Sequence, residues 1–135
     1  MRSSPWLLLL ATAVLAIPAA ACGAPSRSPV IVPDAPAAEA RYREWHRTHL
    51  APTLGAEDRK QAEGLIARRP NVKHSSCREA RKVAEARSPL HGSLAALDRD
   101  GDCWVLRWDG MLGLGLGAVV AEDGEVLLAW WIPEG

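Results

Sequence analysis

The pattern of apolar and polar positions divides the chain into an apolar leader, a proline-rich stretch, three helices and a run of strands. The leader is an apolar run from Trp6 to Ile17 preceded by a single early cation, Arg2. From Ala35 to about His49, Ala38, Tyr42, Trp45 and His49 fall at offsets of 0, 4, 7 and 11, one face of a helix that Pro52 and Gly55 end. Residues 56–69, "AEDRKQAEGLIARR", predict a second helix with Ala62, Leu65 and Ile66 inward, stopped by Pro70. A third, "SSCREARKVAEARS", starts at a serine cap, with Glu79 at the capping-box spacing from Ser76. Its inward stripe is Cys77, Ala80, Val83 and Ala84, and Pro89 closes it.

The remainder reads as strand. "SLAAL", the turn from Asp98 to Asp102 and "CWVLRWD" predict one hairpin; "GLGLGAVVA", the turn "EDGE" and "VLLAWWI" predict a second. Gly113, Gly115 and Gly117 alternate with Leu114 and Leu116, so one face of that strand is bare and open to close approach by a neighbour. Helices followed by a meander predict an α+β fold in which N-terminal helices precede an antiparallel four-strand meander packed on a helix.

The leader changes what the cysteines can do. Its apolar run is shorter than the ~20 residues a permanent membrane span needs, and the small residues Ala19 to Ala21 end it, as in a cleaved export signal. The segment "AAAC" resembles a bacterial lipobox, with Ala19 where leucine is commoner. That resemblance implies that residues 1–21 are a signal peptide and that Cys22 becomes a lipidated first residue held on a cell-envelope membrane. An ordinary signal-peptidase cut after Ala21 is the alternative. Residues 22–36 then form the lipidated cysteine and a proline-rich tether, and residues 37–135 a single domain. With Cys22 acylated, Cys77 and Cys103 remain in an oxidising compartment and pair as one disulfide. Their spacing is too wide for a CxxC motif, and no further cysteine completes a structural zinc site.

Composition narrows the partners. The mature chain, roughly 115 residues, carries 15 cations against 16 anions once Arg2 is removed, with no basic stripe for nucleic acid. Phenylalanine is absent, so the 6 tryptophans supply most of the large apolar volume. Trp104, Leu106 and Trp108 share one strand face, Trp130 and Ile132 another, with Cys103 and Val105 pointing oppositely. Trp104, Trp108 and Trp130 are thus candidate partner-binding residues if that aromatic face is open, and core if the N-terminal helices cover it.

Candidate chemistry is sparse. In "LDRDGDCWVLRWDG", Asp98, Asp100, Asp102 and Asp109 match positions 1, 3, 5 and 12 of an EF-hand loop, but Cys103 occupies position 6, where the loop needs glycine. A turn on Asp100-Gly101 accounts for the same residues. His46 and His49 lie three apart on a helix without an evident third ligand, and no serine sits in a nucleophile elbow. No catalytic residue, metal or cofactor is assigned.

Two families share local motifs with residues 75–132. "CREARKVAEA", with its Glu79-Ala80 and Val83-Ala84 pairs, resembles the opening of PepSY domains, and "VVAEDGEVLLAW", with Gly124-Glu125-Val126-Leu127, resembles their closing strands, although Val120 stands where that pattern has aspartate. Nuclear-transport-factor-like domains, including bacterial immunity proteins, are similar in their strand motif, Trp104-Val105-Leu106 here, and in Asp123-Gly124-Glu125-Val126-Leu127. The first resemblance implies a noncatalytic envelope module that regulates a peptidase; the second implies one that binds and neutralises a partner protein. The expected function is therefore binding or regulation at the cell envelope, with an envelope protein or peptidase as partner, and a small envelope enzyme as the remaining alternative.

Overall fold

The computed structural model describes residues 31–135; the expected signal peptide, Cys22 and the expected tether as far as residue 30 lie outside the described residues. Helix α1 spans Ala35–Trp45 and runs into a π-helical turn, His46–Leu50, and a 3-10 turn, Ala51–Thr53. Helix α2 (Ala56–Ile66), strand β1 (Asn71–Ser76), helix α3 (Cys77–Ala84) and strand β2 (Pro89–Gly92) follow. Strands β3 (Asp102–Asp109), β4 (Gly115–Ala121) and β5 (Val126–Ile132) complete one antiparallel sheet in the order β1-β3-β4-β5-β2. The class is α+β, as the element order predicts.

The meander differs from the expected one at its edges. "SLAAL" is not a strand: Leu94–Leu97 form a 3-10 turn closed by Ala96 N–H on Ser93 O and Asp98 N–H on Ala95 O. The sheet has five strands rather than four, because β1 pairs along β3 and β2 along β5. Domain structure also begins before residue 37. Val32 is buried, its N–H donates to Glu122 O, and Asp34 caps α1 by accepting from Ala37 N–H.

The sheet is covered on both faces. Trp104, Leu106 and Trp108 of β3 lie with Leu116, Ala118, Val120, Ala129 and Trp131 against Ala38, Tyr42 and Trp45 of α1 and Ala62 and Leu65 of α2. Cys103, Val105, Val119, Leu128 and Trp130 pack on the other face beneath Cys77, Ala80 and Ala84 of α3 and Leu97 of the 3-10 turn. A bulge where β5 pairs with Val119 and Val120 lets Leu127 and Leu128 both face α3. The bare face of β4 is filled at Gly117, where a Cβ would lie 2.2 Å from the Trp130 ring and 2.6 Å from Leu106 O.

The predicted disulfide is present. Cys77 and Cys103 are bonded, with Cα atoms 4.9 Å apart. Ser76 accepts from Glu79 N–H, so the cap starts α3 where β1 ends, opposite Asp102, and Cys77 is carried directly over Cys103. The aspartate-rich segment is a turn: Asp98 pairs with Arg81 at 2.6 Å, Asp100 with Arg78 at 3.4 Å, and Gly101 has φ +106.

Candidate functional site

The three tryptophans of the candidate partner surface do not form a surface. Trp104, Trp108 and Trp130 are each at most 9% exposed. Register separates them as well. Trp108 pairs with Leu116 and Leu116 with Trp131 on the α1 side, whereas Gly117 pairs with Trp130 on the α3 side. Two of their polar edges are engaged inside the domain: Trp104 Nε1–H donates to Val32 O at 3.1 Å and Trp108 Nε1–H to Arg68 O at 3.0 Å. Without phenylalanine the core needs these rings, which is why the aromatic face is closed rather than offered.

An aromatic surface does remain where α1 and the turns after it meet β2. Sequence periodicity sets His49 inward, but the π turn bonds Ala51 N–H to His46 O and inserts one residue into the helical repeat. Leu50 and His46 therefore take the buried positions and His49 is displaced to the surface. There its ring stacks on Trp45 at 5.5 Å with 5° between planes, while His91 of β2 meets Trp45 edge-on at 5.0 Å. Trp45, His49, Leu50, Thr53, Leu90 and His91 line a cleft of about 320 Å³.

Hydrogen bonding orients the two imidazoles. His91 Nε2 lies 3.2 Å from Val126 O, a carbonyl that can only accept, so Nε2 is the donor there and Nδ1 is left free among the described residues. His49 Nδ1 is 2.8 Å from Thr48 Oγ1, leaving Nε2 free. The cleft's hydroxyl, on Thr53, donates to Leu50 O at 2.7 Å. Leu90 at the rim is 57% exposed. The arrangement suits capture of an apolar or flat group between imidazole and indole faces, with two ring nitrogens available for direction.

Beside Trp45 in the chain lies a buried polar group that the sequence does not single out from its neighbour. His46 is 4% exposed, and neither ring nitrogen has a hydrogen-bond partner among the described residues. Desolvation holds its pKa below the ordinary 6.5; Glu63 opposes this and Arg43 adds to it. Tyr42, whose ring is 5.9 Å away, is held protonated by burial. A histidine kept neutral by the fold contributes stability above its ordinary value that is lost as pH falls through 6.5 toward the depressed folded value. Urea unfolding midpoints are expected to drop between pH 7.5 and 5, and His46→Leu is expected to flatten that drop. An unchanged pH slope in the variant would remove His46 as its source.

Fold and site thus define a disulfide-bonded α+β domain with a sheet closed on both faces and an aromatic cleft at its β2 edge. No family model, curated protein or solved structure matches the chain. Among the described residues no helix is long and apolar enough to cross a membrane.

Proposed function

We propose that the protein is an exported, membrane-tethered, noncatalytic binding module that engages an envelope protein through the cleft of Trp45, His49, Leu90 and His91. The observation that carries this reading is the closure of the sheet on both faces, beside which the cleft stands open as a concave aromatic surface. The buried Cys77–Cys103 bond supports an oxidising compartment, in keeping with an export signal ahead of it. The Thr48 hydroxyl beside His49 donates to Glu44 O and Trp45 O, so it accepts from the imidazole rather than being activated by it, which favours binding over turnover. The PepSY-like motifs make a peptidase the favoured partner.

The test uses the full chain in its own envelope. A photoreactive residue at Leu90 is expected to give one discrete protein adduct that is lost in His49→Ala, with the chain in the membrane fraction and released from it in Cys22→Ser. Adducts unaffected by His49→Ala would refute the cleft, and a Cys22→Ser chain still bound to the membrane would refute the anchor.

A further inference from the structure

A second group of side chains lies at the opposite edge of the sheet, on the α1 side. β1 sets His74 opposite Trp104 and Ser76 opposite Asp102, and β3 sets Cys103 opposite Ala121. One residue beyond that last pair, Asp102 and Glu122 face each other. Because side chains alternate along a strand, Asp102 shares its face with Trp104 and hence with His74. One donor atom from each of His74, Asp102 and Glu122 lies within 4.8 Å of the other two, and His74 Nε2 is 3.2 Å from Glu122 Oε2.

Two features mark this as more than a chance meeting of exposed acids. Like charges directly opposite across strands are destabilising, yet among the described residues no lysine or arginine forms an ion pair with either carboxylate; the cationic candidate there is His74 itself. The imidazole is also held in place: it stacks on Trp104 with centroids 4.2 Å apart and 24° between planes, and Trp104 is fixed in turn by its bond to Val32 O. The backbone beneath is stiffened at the same point, since Asp102 adjoins Cys103 and the facing Ser76 adjoins Cys77, the two halves of the disulfide.

We propose that His74, Asp102 and Glu122 form a surface site for one divalent first-row transition cation of the zinc class. One imidazole nitrogen and two carboxylate oxygens suit such an ion, whereas calcium takes six to eight oxygens. A tetrahedral ion at about 2.1 Å from each donor sets the donors about 3.4 Å apart. The donors start within 4.8 Å of one another, and Asp102 and Glu122 are exposed, so side-chain rotation is free to close that gap. Three protein ligands leave a coordination position open to water or to a donor from another molecule.

Zn²⁺ titration of the full chain purified in detergent, read by calorimetry and by competition with a chromophoric chelator, tests the site. One ion per chain is expected, with a midpoint on the order of micromolar and a rise in melting temperature. His74→Ala and Glu122→Gln are expected to weaken binding at least about tenfold and to abolish the rise, with unchanged circular dichroism without zinc. His91→Ala, in the separate cleft, is expected to bind as the parent does. Absence of saturable binding below millimolar zinc, or binding that survives His74→Ala and is lost in His91→Ala, would overturn the proposal.

Discussion

Trp108→Ala is expected to lower the stability of the domain by about 3–5 kcal/mol, the range for removing a buried large aromatic. The indole is 2% exposed and is enclosed by Tyr42, whose ring centroid is 5.1 Å away, with the Arg43 guanidinium 5.8 Å above it. Its N–H bond to Arg68 O ties the turn after α2 to β3, so the substitution leaves a cavity and removes that tie, the carbonyl keeping its bond from Arg43. Alanine cannot be filled in from the sheet, because the flanking Leu116 is itself fully buried. Urea unfolding of parent and variant checks this. A change within about 0.5 kcal/mol, as at an ordinary surface position, would mean that Trp108 is a surface contact residue and that the closed core is wrong.

Loss of the disulfide ranks beside it. Replacing Cys77 and Cys103 by alanine is expected to cost about 2–5 kcal/mol. The bond closes a sequence separation of 26, worth about 3.5 kcal/mol in the chain-entropy model. The rest comes from packing: both residues are at most 1% exposed, and they join α3 to the sheet where that helix is only 8 residues long. A short helix has little other area with which to stay docked. Reductant should lower the urea midpoint of the parent and leave that of the double variant unmoved. Two thiols titrating in the denatured, unreduced Cys22→Ser chain would show that the bond does not form.

What the sequence makes legible follows from burial. The strands β3, β4 and β5, the stripe of α3 and the inward face of α1 as far as Trp45 all bury one face or both, so their apolar spacing is readable. The edge strands leave no such trace. β1, "NVKHSS", has mostly exposed or half-exposed side chains, and β2, "PLHG", is exposed throughout and opens on a proline. "SLAAL" reads as strand because its alanines fit either period; only Leu97 is fully buried, as one side of a 3-10 turn allows. The sites were hidden for the same reason. The cleft depends on a one-residue π insertion and on β2, and His74 reaches Glu122 across 48 positions of sequence through a register that β1 alone provides.

The strand order β1-β3-β4-β5-β2 also determines when the chain can fold. Emerging from the N-terminus onward, β1 finds no hydrogen-bonding neighbour until β3 appears, and β2 none until β5, the last element. Pairings between such distant segments form slowly and after collapse of the local hairpins. The helices that precede them have nothing to lie on in the meantime, since the surface they cover is made almost wholly by residues after Asp102. A polypeptide arranged in this way stays open until β5 has been made, and that strand acts as the latch that closes both layers at once.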